Sequence, residues 1–221
     1  MIRATRNYLN ALMYGNMTKK TTKGHMMDKY AYGSSTTNRF LNALQTNQAK
    51  SSAANYQNIK DKAGEVQAAA NKLTAEGEDS LFAKARETGD TSAIAAQVKE
   101  FVEQYNSMVR SLKGAGDKLD KAYADSLNTY AVMHKNVLKA TGVTQQTDGT
   151  LKLDENTLRN ASLEALEKAW GGSNSFAAKA AKTAEYASAN AVSNINSMVN
   201  NSYSNLLRGY GSSGNYFNIW R

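Results

Sequence analysis

A chain of 221 residues with no cysteine and no proline excludes disulfides and cysteine-bound zinc, and it lacks the residue that most disrupts helix interiors. No run approaches the roughly 20 apolar residues of a membrane helix, and the first twelve residues are basic without the apolar core and cleavage signature of a signal peptide. The net charge of +8 lies in residues 1–60, where nine Lys and Arg face one acid, Asp28. Those charges are spread thinly and no recognition motif accompanies them, so a mobile arm or a solvated helix face is expected there rather than a nucleic-acid surface.

Residues 1–14 can form a short amphipathic helix through Ile2, Leu9, Leu12 and Met13, ended by Gly15. A polar Gly, Thr, Ser, Asn and Lys stretch follows, so residues 1–36 read as a basic, partly disordered segment. A long helix is expected over 37–73. Its clearest section places Tyr56, Ile59, Ala63, Val66, Ala70 and Leu73 at alternating spacings of three and four, a heptad seam. Two of the six positions are alanine, so the helix needs a partner.

Gly77, Gly89 and the acids around them mark a turn region, with room for a short helix at 80–87. A second seam follows on a helix at 92–112: Ile94, Val98, Phe101, Tyr105, Met108 and Leu112, with Val109 beside it. Its larger side chains suit the smaller ones of the first seam, which makes the two helices expected partners. Gly114 and Gly116 end it. A third helix at 117–140 has Leu119, Tyr123, Tyr130, Met133 and Val137 at heptad spacing, and stops at Thr141-Gly142.

Residues 143–153 carry the β signal: two short runs flank Asp148-Gly149, a strong turn pair because glycine tolerates positive φ. Asp154 is placed to cap a helix over about 155–169, ending at Trp170-Gly171-Gly172. Ser173 or Asn174 is expected to cap the last helix, 174–207, with Val192, Ile195, Val199 and Leu206 on its seam. Tyr210, Tyr216, Phe217 and Trp220 then sit among Gly and Ser in a flexible tail, 209–221. The fold class expected is mainly α, an elongated coiled-coil-like bundle over 37–208 with one small β-hairpin.

Four elements in order carry a family resemblance over residues 93–186. They are Phe101-Val102-Glu103-Gln104-Tyr105-Asn106-Ser107-Met108-Val109; Leu138-Lys139-Ala140-Thr141-Gly142-Val143; Asp148-Gly149-Thr150-Leu151-Lys152-Leu153-Asp154; and Trp170-Gly171 followed by Phe176. This run resembles the carboxy-terminal domain of the flagellar hook-associated protein 2 family, the filament cap. The resemblance implies long helices in a bundle and a non-catalytic, extracellular role on the bacterial flagellum, exported without a cleavable signal peptide. It also implies flagellin or hook-associated partners, self-association, and in some members contact with host surfaces. Full-length members carry an apolar, glycine-rich amino-terminal opening and a β-rich insertion that are not visible here, so the chain reads as a shortened, divergent member.

No catalytic set accompanies this pattern. His25 and His134 are far apart and lack a matched carboxylate, and no phosphate loop or metal-ligand spacing is present. No cofactor or metal is expected. Asp148, Asp154 and Glu155 miss the twelve-residue calcium-loop spacing, and a turn plus a helix cap accounts for them. Trp170-Gly171-Gly172 also fits the Trp-x-Gly turn of small helical type VII substrates, which leaves a secreted helical adhesin or such a substrate as the alternative. The packing residues expected to matter most are Tyr56, Ile59, Val66, Leu73, Phe101, Tyr105, Val109 and Leu112, with Asp148 and Gly149 at the hairpin turn.

Overall fold

The computed structural model describes residues 47–212, and side chains over 51–201. The amino-terminal expectations up to residue 46 and the aromatics Tyr216, Phe217 and Trp220 lie outside the described residues.

Eight helices and one antiparallel hairpin make up the described chain. Helix α1 is Asn47–Thr74, α2 is Leu81–Thr88, α3 is Ser92–Ala115, α4 is Lys118–Met133 and α5 is Lys135–Ala140. Strands β1 (Val143–Gln145) and β2 (Leu151–Leu153) follow, then α6 (Glu155–Arg159), α7 (Leu163–Trp170) and α8 (Phe176–Ser212). The class is mainly α with a small two-stranded sheet. Two compact units divide it: Asn55–Ala191, and, among the described residues, 47–54 together with 192–212. In the second unit Ala53 is buried against Ile195, Met198 and Val199.

Helix α3 is the centre of the larger unit. Its buried set of Ile94, Gln97, Val98, Phe101, Val102, Tyr105, Met108, Val109 and Leu112 is too broad for one seam. That stripe meets α1 on one side and α2, α4, α6 and β2 elsewhere. Helices α1 and α3 run antiparallel: Asn58 donates to Ser111 Oγ (2.8 Å), and Lys72 pairs with Glu100 at the opposite end. Each fully buried large apolar side chain on this stripe contributes about 1.5–3 kcal/mol relative to exposure.

Turn chemistry sets the joints. Ser80 caps α2 through Ala83 N–H, Asp117 caps α4 through Leu119 N–H, and Asp154 caps α6 through Asn156 and Thr157 N–H. Helices α2 and α3 end on Gly89 and Gly116 in the left-handed region. The hairpin pairs Val143 with Leu153 and Gln145 with Leu151. Its tip closes by Gly149 N–H donating to Gln146 O (3.0 Å), with Gly149 at φ +78°.

Four boundaries differ from those the sequence predicts. The helix at 117–140 breaks at His134 (φ −97°, ψ 9°), whose Nδ1 lies 2.9 Å from Tyr130 O and whose Nε2 lies 3.2 Å from Asn174 O. The helix at 155–169 is two, because Ser162 starts α7 by capping Ala165 N–H. Ser175, not Ser173 or Asn174, caps α8, accepting from Ala178 N–H at 3.2 Å. Helix α8 runs to Ser212, past the Gly209 where the tail was expected; Leu206 is beyond the described side chains.

The third seam is also corrected. Leu119 and Met133 are 46% and 72% exposed, and the buried face of α4 is Asp120, Ala124, Leu127 and Ala131. Tyr123, Tyr130 and Val137 pack only at the edge of the core. The larger side chains drew the seam one position off the face that packs.

Candidate functional site

Of the predicted packing residues, Ile59, Val66 and Leu73 on α1 and Phe101, Tyr105, Val109 and Leu112 on α3 all lie in one continuous core. None is more than 1% exposed. These seams therefore close within one chain. Tyr56 differs: it is half-buried, and its hydroxyl donates to Asp117 Oδ2 (3.1 Å). Burial first, then the bond to Asp117 and its charge, push the Tyr56 hydroxyl up to about 12.

An aromatic knot fills the middle of the core. Phe101 meets Trp170 edge-on at 5.5 Å between centroids and Phe176 at 6.0 Å; Tyr105 lies 5.5 Å from Phe176. Edge contacts of this kind add to simple burial because ring faces and edges carry opposite partial charge. The buried indole N–H has an acceptor: Trp170 Nε1 donates to Thr141 Oγ1 (3.1 Å), and Thr141 passes its own proton to Leu138 O (2.9 Å). Trp170 and Phe176 flank the Gly171-Gly172 joint, and Thr141 ends α5, so the knot ties two joints to α3.

The hairpin is docked on α3 by polar contacts. Asn106 Nδ2 donates to Leu151 O (2.8 Å) while its Oδ1 accepts Leu151 N–H (2.7 Å). The ladder bonds at Gln146–Thr150 and Gly142–Asp154 alternate so that Leu151 turns its backbone groups away from β1. Asn106 thus occupies the free edge of β2. Lys113 Nζ donates to Asp148 O, and Tyr105 makes a long contact to Gly149 O (3.4 Å). Burial alone raises the Tyr105 hydroxyl well above the usual tyrosine range.

Asp148 accepts from the hydroxyl and backbone N–H of Thr150, which hold its carboxyl below the usual aspartate range. Gly149 is needed for its backbone rather than for room, since a Cβ there would meet nothing nearer than 3.6 Å. Gly142 is under both constraints: φ is +78° and a Cβ would lie 2.6 Å from Asp154 O.

The acids near the hairpin are occupied by structure. Asp154 caps α6, and Glu155 pairs with Lys99 (2.7 Å) and Arg159 (3.0 Å). Among the described residues no group of three or more His, Cys, Asp or Glu side chains could hold a metal ion, and no helix is long and apolar enough to cross a membrane. Among the described residues the exposed large apolar side chains are Leu119, Val132, Met133 and Tyr186.

Sequence reasoning missed Asn106 and Asp120 as functional in the fold. Asn106 stands next to Tyr105 but off the seam, so periodicity gives it no weight. Asp120, Ala124, Leu127 and Ala131 are spaced four, three and four, a signal obscured by an acid and two alanines. No known protein family matches the chain, and no curated protein or solved structure matches it.

Proposed function

We propose that this chain is a non-catalytic assembly protein of the bacterial flagellum, related to the filament cap. One observation carries the reading: the motifs of the resemblance are joined to one another in space. The Phe101–Val109 segment holds the Asp148-Gly149 hairpin through Asn106, and it holds the Trp170–Phe176 joint through Phe101 and Tyr105. Short motifs that support one another this way are what a single folded core requires.

With the α1 and α3 seams buried inside the chain, contacts to flagellin, hook-associated proteins or a second copy would use exposed apolar groups. Leu119, Val132, Met133 and Tyr186 are the ones available among the described residues. The test is to follow the protein in sheared flagella and culture supernatant of wild-type and export-deficient cells. Enrichment with sheared filaments that is lost without flagellar export is expected. Presence in the supernatant without filament association favours a secreted adhesin or type VII substrate, and retention inside wild-type cells overturns both.

A further inference from the structure

Asp120 is the one buried acid among the described core residues, and it has no accessible surface. It lies in the first turn of α4, where Asn190 of α8 donates to its Oδ1 at 3.1 Å. Its Oδ2 has no hydrogen-bond partner. An ionised carboxylate taken out of water needs a cation or several donors. None of the ion pairs in the described chain includes Asp120.

The groups facing it are known from each neighbouring element. Tyr56 of α1 gives its proton to Asp117 instead, Asp117 adds a like charge, Tyr123 lies on the same helix, and Asn190 is neutral. Lys118 and Lys121 are its neighbours in sequence, and both side chains are exposed. The amino-terminal end of α4 favours a negative charge by at most a modest amount, against the larger penalty of full burial. Burial and then Asp117 raise its carboxyl above the usual range, with the Asn190 bond acting the other way.

We propose that Asp120 is a proton-operated latch between α4 and α8, neutral in the closed bundle and opening this contact to water when it ionises, because its second oxygen then carries charge with no donor. The pairing is antiparallel, with His134 and Asn174 at its far end. Both ring nitrogens of His134 face carbonyl oxygens there, Tyr130 O at 2.9 Å and Asn174 O at 3.2 Å. An aspartate whose proton is held by folding adds stability that is complete in acid. That stability is lost as pH rises through the ordinary aspartate range to the folded value.

The test compares the whole chain with its Asp120→Asn variant, which keeps the shape and removes the charge. Thermal midpoints from pH 4 to 8 are expected to separate as pH rises, with the variant the more stable at neutral pH. The protection of amides around residue 190, taken relative to the intrinsic exchange rate at each pH, is expected to rise about tenfold on acidification in the natural chain and to stay flat in the variant. A variant less stable than the natural chain at neutral pH, or protection in the natural chain that ignores pH, overturns the latch. Should the variant fail to fold, carbon NMR titration of the Asp120 carboxyl in the natural chain decides. A midpoint above the usual aspartate range supports the latch, and one at or below it refutes it.

Discussion

The side-chain amide of Asn106 on α3 satisfies both backbone groups of Leu151 on β2, at 2.7 and 2.8 Å. It pairs with the strand as another strand would, and closes an edge that the two-stranded sheet leaves open. Replacing Asn106 by Ala removes both bonds and leaves a partly buried N–H and C=O without partners. The expected loss is about 2–3 kcal/mol in urea unfolding. Asn106→Asp keeps the acceptor but sets a carboxylate against Leu151 O, so it is expected to fare no better.

Two glycines with the same φ separate two causes of strain. Gly149→Ala makes only ordinary contacts, the nearest at 3.6 Å, so the expected cost is the left-handed conformation alone, about 1–2 kcal/mol. Gly142→Ala adds a contact 2.6 Å from Asp154 O and is expected to cost about 3 kcal/mol or more, the clash adding to the conformation. Thermal midpoints of the two variants under one buffer check the order.

The buried stripe of α3 and the outward side of α4 are open to the same kind of measurement. Phe101→Ala, at a fully buried ring in the aromatic knot, is expected to lose about 3–5 kcal/mol. Met133→Gln, at a 72% exposed side chain, is expected to stay within about 0.5 kcal/mol. A large loss at Met133 would restore the seam that heptad spacing predicts.

Acid acts on the caps in the opposite sense to its action on Asp120. Bonds from Thr157 hold Asp154 below the usual aspartate range, and bonds from Ser92 do the same for Asp90. Their contribution is present above that range and is lost as pH falls through their lowered folded values. Asp154→Asn keeps the cap, since both residues cap well. It is expected to leave neutral stability nearly unchanged and to flatten the loss below about pH 4 in urea titrations.

Much of the larger unit is legible in the sequence. The first two seams are readable because Ile59, Val66, Leu73, Phe101 and Tyr105 are large, regularly spaced and uninterrupted by rival apolar positions. The hairpin is readable because Asp148-Gly149 is nearly a structural instruction. Helix α4 is not, because its packing face is made of alanines and an acid while its bigger side chains lie outward. Asn106 is not, because a side chain that completes a sheet edge needs the sheet to be in place before it has meaning. The split at His134 depends on Asn174, forty residues away, and no local pattern contains it.

Trp170 touches Phe101 and Phe176 and donates its indole N–H to Thr141, so its surroundings exist only once three distant segments have met. With Trp220 replaced by phenylalanine it becomes the sole indole of the chain. Its emission then reports the joining of segments, whereas far-ultraviolet dichroism reports helices that form locally. Any delay between the two signals during refolding times the interval in which the helices exist but the bundle does not.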